Sequence, residues 1–297
     1  MKAQKKQTVV LGNFDGVHLG HQQLLAMGRQ IANGMGEELT VFTFYPQIQT
    51  VLQPDFAYLL TEKEKEQRFK AIGVDHIVTI PFDENISHMS PEQFVTEILV
   101  EKLHSSHVVV GFNYTFGYRG SGNTDLLIEL CEQHQIVVAV MDAYQLHEEI
   151  ISSTAVRQAL KQGNINYANE MLGYYYHLCG QVVHGNEIGR TIGFPTANLA
   201  LQDNLFIPGK GVYAVKVNIQ GEAYRGILNI GVRPTVDKNL AQTIEVHILD
   251  FDKDIYGESI CVEFIQFLRS ETKFADLEEL KVQLMQDKEK TKQLFYK

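Results

Sequence analysis

The sequence predicts two domains of different fold class: an α/β domain with a doubly wound parallel sheet, then an antiparallel β-barrel with a C-terminal helix. The chain has 297 residues, enough for two separate hydrophobic cores. Strand-like and helix-like segments alternate in the first half. From residue 176 onward, short β-branched and aromatic runs are separated by glycine turns, which is typical of antiparallel barrels. We therefore expect domains at 1–172 and 173–297, with a helical connector at 153–172.

Apolar runs in the first half are expected to form the parallel sheet, and segments of helical periodicity separate them. Ser90 followed by Pro91 is a favourable helix start, because serine caps free N–H groups and proline fits the first turn. The expected strands are 8–11, 38–44, 76–80, 107–111 and 136–141, and the expected helices are 18–31, 61–72, 90–103 and 125–134.

The second half is expected to form the barrel. In the run 243–251, apolar residues alternate with Glu245 and His247, so these two side chains should share the face opposite the core. The expected strands are 178–183, 211–219, 223–230, 243–251 and 259–268, followed by a closing helix at 274–295.

Composition narrows the class of partner. The formal charge is −10, with 36 acidic against 26 basic residues, which argues against binding to nucleic acid or to an anionic membrane. Cys131, Cys179 and Cys261 show no C-x-x-C spacing, so we expect small buried apolar residues rather than a disulfide framework or a zinc site. The N-terminus is polar and no apolar segment has membrane length, so a cytoplasmic protein is expected.

Residues 12–21, Gly-Asn-Phe-Asp-Gly-Val-His-Leu-Gly-His, join the first strand to the first helix. Glycines allow a tight turn here, and a helix start presents free N–H groups that attract anions. His18 and His21 are three residues apart, so both imidazoles can point at one phosphate. The alternative is two surface histidines on a first helical turn. The length of the motif favours the phosphate site.

This string closely resembles the signature of the nucleotidylyltransferase superfamily, and its Asn-Phe-Asp-Gly-Val-His form is similar to bacterial FAD synthetases. The resemblance implies a Rossmann-like nucleotidylyltransferase domain that transfers a nucleotidyl group from a nucleoside triphosphate to an acceptor. It implies catalytic roles for His18 and His21, and it places Gly12 and Phe14 among the ligand-binding residues.

Aromatic residues alternate at positions 112, 114, 116 and 118. Alternation is compatible with an ordinary strand or with a surface for a planar ring system. In FAD synthetases a similar segment lines the flavin site, and Asn113 holds the place of an Asn or Asp there. The sequence departs from the family at Gln47, where a histidine is usual, so flavin binding in this half could be altered.

Residues 151–157 read Ile-Ser-Ser-Thr-Ala-Val-Arg. Hydroxyl groups at a helix start often only cap the helix. The same geometry binds phosphate, and an arginine one turn further adds a fixed charge. The resemblance implies that Ser152, Ser153, Thr154 and Arg157 lie near the phosphates of ATP, with Arg157 in a catalytic role.

The second half carries a motif at residues 183–198. Its Gly185 to Arg190 segment departs from a Walker loop in spacing and lacks the lysine, so a P-loop kinase is excluded. The following Gly-Phe-Pro-Thr-Ala-Asn resembles the signature of riboflavin kinase, whose fold is a small β-barrel. Thr196 and Asn198 would face one way in an extended segment and suit Mg²⁺ bound with ATP. The resemblance adds Gly185, Arg190 and Asn198 as ligand-binding residues and Glu245 as the base.

The two resemblances together cover nearly the whole chain. They imply a bifunctional riboflavin kinase and FAD synthetase that uses ATP and Mg²⁺, with riboflavin, FMN and FAD as substrates and products. One alternative is a monofunctional enzyme with one inactive half. The other is a flavin-binding regulator without turnover. The oligomeric state is left open.

Overall fold

The computed structural model of the protein describes residues 6–49, 53, 56–185, 193–201, 204–234 and 240–295. The chain divides into two compact units between residues 153 and 154. Most of the predicted connector therefore belongs to the second unit, and the domain boundary at residue 172 stays a prediction. Among the described residues, no helix is both long and apolar enough to cross a membrane.

The first unit contains the predicted parallel sheet. Its strands are β1 (Gln7–Leu11), β2 (Glu38–Phe44), β3 (His76–Ile80), β4 (Ser105–Gly111) and β5 (Val137–Met141). Their order is β3-β2-β1-β4-β5, and all neighbours are parallel. Because β1 lies between β2 and β4, the strand order reverses beside it. Doubly wound sheets bind ligands at such a switch point, outside the carboxyl ends of the strands.

The central strands are buried, which explains their continuous apolar sequence. Val9 and Val10 in β1 are fully buried, and so are Val108, Val109 and Val110 in β4. Parallel strands covered on both faces need apolar residues at every position rather than at alternate ones. Each such side chain contributes about 1.5–3 kcal/mol of burial free energy.

Helices flank this sheet and begin close to the predicted starts. Thr61 and Ser90 each form a capping box with the residue three positions further. The helix predicted at 90–103 begins as an α-helix and continues as a π-helix. The elements are α1 (Leu19–Met35), α2 (Glu62–Ile72), α3 (Glu84–Ser87), α4 (Pro91–Gln93), the π-helix (Phe94–Lys102), α5 (Thr124–Glu132) and the hairpin strands β6 (Gln145–Leu146) and β7 (Glu149–Ile150).

Glu37 ties the amino ends of β1 and β4 together. Its carboxylate accepts hydrogen bonds from Thr8 Oγ1 at 2.7 Å, from Ser106 Oγ, and from His107 Nδ1 at 2.9 Å. Burial alone would raise the pKa of Glu37. The hydrogen bonds from Ser106, Thr8 and His107 outweigh it and lower the pKa below the ordinary 4.5.

The second unit is a closed antiparallel barrel, as predicted. Its strands are β8 (His177–Val183), β9 (Ala197–Leu201), β10 (Gly211–Ile219), β11 (Glu222–Pro234), β12 (Leu240–Ile248) and β13 (Ser259–Arg269). The order around the barrel is β10-β11-β12-β9-β8-β13. The sequence did not predict β9 as a strand, because the segment is only five residues long and contains the polar Asn198. β9 closes the barrel by pairing with β8 and β12.

The helices in the described part of the second unit are α6 (Ser153–Lys161), which begins at the last residue of the first unit, α7 (Ile165–Leu172) and α8 (Leu277–Leu294). The single helix predicted at 153–172 is therefore two. Gly163, between α6 and α7, has a φ of +75°, which breaks the helix and which other residues rarely adopt. Helix α8 is held by Asp287, which is fully buried and lies 2.9 Å from Arg269 Nη2.

The prediction for the cysteines was wrong for two of the three. Cys179 in β8 and Cys261 in β13 form a disulfide, with their Cα atoms 4.1 Å apart. They lie directly opposite each other on neighbouring strands. Linear spacing could not show this, because 82 residues separate them along the chain. Cys131 is a free, fully buried cysteine, as predicted, and burial raises the pKa of its thiol to about 12.

We expect Glu37→Gln to lower the free energy of unfolding by about 1–3 kcal/mol at pH 7, because buried donors lose a charged acceptor. The loss should shrink in acid. The pKa of Glu37 is lower in the folded state than in the unfolded state, where it is near 4.5. Its contribution to the free energy of unfolding is therefore complete above about pH 4.5 and is lost as the pH falls through the folded-state pKa. Urea unfolding followed by circular dichroism at pH 7 and in acid measures both effects.

Glu38→Gln is the matched control, because Glu38 is the next residue and its carboxylate lies 2.8 Å from exposed His76. Exposed ion pairs contribute at most about 1 kcal/mol. Equal losses in the two variants at pH 7 would contradict the prediction for Glu37. So would a loss in Glu37→Gln that stays constant in acid.

The cysteine pairing predicts a thiol count. We expect the native, unreduced protein to show no thiol reactive toward a chromogenic disulfide reagent, because Cys131 is buried and its pKa is raised. Unfolding without reductant should expose the Cys131 thiol alone, and unfolding after reduction should expose all the cysteines. The Cys131→Ser variant should then show no thiol without reductant. Full reactivity in unreduced, unfolded protein would contradict the pairing.

Candidate functional site

The loop that follows β1 has an unusual backbone. Phe14 and Val17 have φ values of +54° and +36°, although neither is glycine. Such backbone costs on the order of 1–3 kcal/mol per residue and concentrates at ligand sites. Phe14 is fully buried, and a Cβ at Gly12 would lie 3.0 Å from its ring. The predicted ligand-binding residues Gly12 and Phe14 thus pack against each other in this loop.

The structure brings His18 and His21 together. His18 is the N-cap of α1, and its Nδ1 accepts a hydrogen bond from the His21 backbone N–H at 3.3 Å. The two rings are stacked with centroids 3.7 Å apart, and Phe14 meets the His21 ring edge-on at 5.3 Å. Among the described residues, the buried His21 Nδ1 has no hydrogen-bond partner. A buried polar atom in that state at a helix start is suited to a ligand.

Burial lowers the pKa of both imidazoles. The pKa of His18 falls from 6.5 to about 4, although a backbone hydrogen bond opposes the shift. Burial, together with the charges of His18 and Lys65, lowers the pKa of His21 well below 6.5. Both rings are therefore neutral at pH 7, and each carries one N–H. For His18 that proton sits on Nε2, because Nδ1 accepts from the backbone.

Gln47, at the family's usual histidine position, lies after β2 and contacts the loop that follows β1. It is 1% exposed, and its Nε2 donates to Asp15 Oδ1 at 3.5 Å. The same Asp15 oxygen accepts from the Leu59 N–H at 3.0 Å. Ser153 Oγ donates to the Asp15 carbonyl oxygen at 2.8 Å, so this predicted phosphate ligand lies beside the histidine loop. Ser152, the preceding residue, is half-buried.

Thr154 and Arg157 belong to the second compact unit. Thr154 is exposed in the first turn of α6, and the Arg157 guanidinium lies over the Phe206 ring at 6.0 Å. Their predicted contacts with phosphate stay predictions. Arg190 lies outside the described residues.

The alternating aromatics after β4 do not form a strand. Tyr114 packs against the hydrophobic core and Phe116 is buried, whereas Phe112 and Tyr118 are 44% and 40% exposed. Asn113 is exposed in the turn directly after β4. The segment therefore splits into two core residues and two exposed rings at the carboxyl end of the sheet, where a planar ligand can stack.

In the barrel, strand pairing assembles the predicted kinase residues. Asn198 in β9 lies opposite Glu245 in β12 and opposite Val183 in β8. The Thr196 hydroxyl lies 3.5 Å from Glu245 Oε2. A Cβ at Gly185 would collide with the Asn198 side chain as it stands, so glycine allows this close approach. The motif residues and Glu245, far apart in sequence, thus form one cluster.

Two cavities meet at this cluster. Cavity A has a volume of about 440 Å³ and is lined by Thr196, Val246 and the segment 251–256. Cavity B has a volume of about 290 Å³ and is lined by Thr196, Glu245 and His247, together with Leu280 and Leu284 of α8. Val246 and Ile248 face cavity A, whereas Glu245 and His247 face cavity B, in agreement with the predicted alternation. Thr196 is common to both.

Three residues of these clusters were not predicted to act in them. Asp15 lies within the first motif, but nothing in its spacing shows that it anchors Gln47 and Leu59. Lys65 is 1% exposed, and its charge helps to lower the pKa of His21. It lies one helical turn before Phe69, whose ring packs on Phe14. His247 was predicted only to share a face with Glu245. Because these contacts are long-range in sequence, local patterns do not reveal them.

Comparisons with known proteins agree with this division. Residues 1–155 match the family model described as FAD synthetase, and residues 172–295 match the model described as riboflavin kinase. The chain is 40% identical over 294 residues to the bifunctional riboflavin kinase/FMN adenylyltransferase of Listeria monocytogenes, covering 98% of this chain and 93% of the relative. It is 37% identical over 297 residues to the Bacillus subtilis protein of the same description, with the same coverage.

The fold is similar to a solved structure from Streptococcus pneumoniae that is described as a macrolide-efflux protein. The TM-score is 0.90 and the sequence identity is 34%, and the match covers 98% of this chain and 95% of the solved one. Nearly the whole chain therefore has a counterpart of known three-dimensional structure.

We expect the His18 imidazole to titrate near pH 4 in the folded protein and near 6.5 in urea. Because the folded-state pKa is the lower one, the neutral ring stabilises the fold above about pH 6.5, and this is lost as the pH falls toward 4. Imidazole NMR signals followed against pH measure the midpoint, and His18→Asn assigns the signal. A folded-state midpoint above 6 would contradict the effect of burial.

Proposed function

The chain belongs to the bifunctional riboflavin kinase/FMN adenylyltransferase family and carries both of its domains, and we propose that the His18–His21 and Glu245 clusters perform its two reactions separately. The protein phosphorylates riboflavin to FMN and adenylylates FMN to FAD. The observation that supports two separate sites is that each compact unit contains its own cluster of polar residues. The cluster of the first unit lies at a helix start, and that of the second unit lies at a cavity.

In the barrel, we assign riboflavin to cavity B and ATP to cavity A. Glu245 lines cavity B, and Thr196 is shared by both cavities, so the γ-phosphate and the acceptor hydroxyl can meet at Thr196. Glu245 accepts the proton of the ribityl hydroxyl, whose oxygen forms the bond to the γ-phosphorus while the bond to ADP breaks. Positioning of this kind supplies most of the rate in phosphoryl transfer.

Thr196 and Asn198 would hold Mg²⁺ together with the nucleotide. Both offer neutral side-chain oxygens, which suit an ion that keeps part of its water shell and bridges phosphates. The close packing of Asn198 against Gly185 leaves its side chain little freedom, and the Thr196 hydroxyl lies 3.5 Å from Glu245. When bound, Mg²⁺ neutralises charge on the transferred phosphoryl group.

In the first unit, an oxygen of the FMN phosphate attacks the α-phosphorus of ATP, and pyrophosphate leaves. His18 and His21 donate N–H hydrogen bonds to phosphate oxygens at the start of α1. Because burial keeps both rings neutral at pH 7, they stabilise charge as neutral donors and form no covalent intermediate. Asn113 and the exposed rings of Phe112 and Tyr118 are the proposed flavin contacts.

The cytoplasmic location stays a prediction.

The two reactions should be removable one at a time. We expect His21→Ala to slow FAD formation from supplied FMN by about 10²-fold or more, because it deletes one donor to the phosphates. FMN formation from riboflavin should be nearly unchanged. Glu245→Gln should do the reverse, with a loss on the order of 10² to 10⁴ in kinase rate, because it keeps the shape and removes the base. Chromatographic separation of the flavins measures both rates in each variant.

His76→Ala is the control in the first unit, since His76 is a half-exposed histidine at the amino end of β3. It should leave both rates unchanged. If His21→Ala stops both reactions in a protein with native circular dichroism, the two sites are not separate. If Glu245→Gln keeps its kinase rate, Glu245 is not the base.

A further inference from the structure

His247 connects β12 to the segment that carries Thr196. Its Nδ1 lies 2.8 Å from the carbonyl oxygen of Pro195, and its ring packs against Phe194 with centroids 5.1 Å apart. Pro195 and Phe194 directly precede Thr196. The His247 side chain therefore contacts both residues that precede Thr196, the residue that lines both cavities.

The chemistry of this contact fixes the state of the ring. A carbonyl oxygen only accepts hydrogen bonds, so His247 Nδ1 must carry the proton. Burial lowers the pKa of His247 below its ordinary value, so the ring is neutral at pH 7. The single N–H of the imidazole is therefore used on the Pro195 carbonyl. His247 has no second N–H with which to donate to a ligand in cavity B.

The geometry also relates His247 to Glu245. The two side chains lie two residues apart on the same face of β12 and both line cavity B. β12 pairs with β9 at Glu245 and Val246, just after Thr196 in the motif. The motif segment is thus fastened to β12 on both sides of Thr196: by backbone pairing after it and by His247 before it.

We propose that His247 is a positioning residue of the kinase reaction, which holds Thr196 at its distance from Glu245 through the hydrogen bond to Pro195. This rests on the proposed roles of Thr196 and Glu245. His247 does not act on the reacting atoms. Its loss should lower kcat of the kinase much more than it raises the KM for riboflavin, because the other residues that line cavity B remain while the alignment of the transferred phosphoryl group degrades.

Three substitutions separate the hydrogen bond from the ring. His247→Phe keeps a ring against Phe194 and removes the N–H. His247→Asn places an amide N–H at the same number of bonds from the backbone as Nδ1, and His247→Leu has nearly the shape of asparagine without that N–H. We expect kcat to fall about tenfold in the Phe and Leu variants, the size of one lost hydrogen bond. The Asn variant should recover most of the rate.

The measurements are kcat and riboflavin KM of the kinase, with FAD formation from FMN in the same samples. His177→Phe is the matched control, because His177 is another barrel histidine whose Nδ1 lies 3.3 Å from a carbonyl oxygen, that of Tyr175. Its kinase rate should be unchanged. Thermal unfolding checks that each variant is folded, and if the Phe variant is not, the comparison of Asn with Leu decides.

The outcomes are distinct. Equal rates in the Asn and Leu variants would overturn the proposal, because the hydrogen bond would then be irrelevant. So would a raised riboflavin KM with unchanged kcat, which would make His247 a wall of the flavin cavity only. Glu245→Gln, measured in parallel, tests the underlying assignment: a fully active Glu245→Gln refutes the proposed base, whereas an inactive one beside a fully active His247→Leu refutes only the role of His247.

Discussion

The closure of the barrel through β9 is the constraint on which the cluster of Thr196, Asn198 and Glu245 depends. β9 is five residues long and pairs with β12 at only two positions. Those positions place Asn198 beside Glu245 and leave Thr196 at the meeting point of the two cavities. The disulfide between β8 and β13 lies on the neighbouring seam of the same barrel. A polar cluster assembled from distant parts of the chain needs such a closed framework, because an open sheet would let its edge strands move apart.

The first unit solves a different problem. The proposed phosphate ligands His18 and His21 lie on one continuous stretch of chain, so no long-range pairing is needed to bring these two residues together. What the tertiary structure adds is burial, which lowers the pKa of both rings and removes their charge at pH 7. Neutral imidazoles bind a polyphosphate less tightly than imidazolium ions would. In the proposed reaction they would still donate hydrogen bonds where charge develops during the transfer.

Local patterns predicted most of the fold. The parallel strands were predictable because burial on both faces demands unbroken apolar runs, and β2 and β3 were predicted with their observed bounds. Caps such as Thr61 and Ser90 marked helix starts for a local physical reason. Apart from the helix break at Gly163, the main features that were missed are non-local. β9, the Cys179–Cys261 pair and the contacts of Asp15 and His247 depend on which strands become neighbours, and no periodicity in the sequence contains that information.

The alternation of side chains along β12 limits where insertions and deletions can be tolerated in the sequences of this family. Its alternate residues face two different cavities: Val246 and Ile248 line cavity A, and Glu245 and His247 line cavity B. A single inserted or deleted residue within β12 would exchange these two sets, because side chains alternate strictly along a strand. Substitutions at any one of these positions are local events. A change in the length of the strand is not, so insertions and deletions should be confined to the turns that flank it.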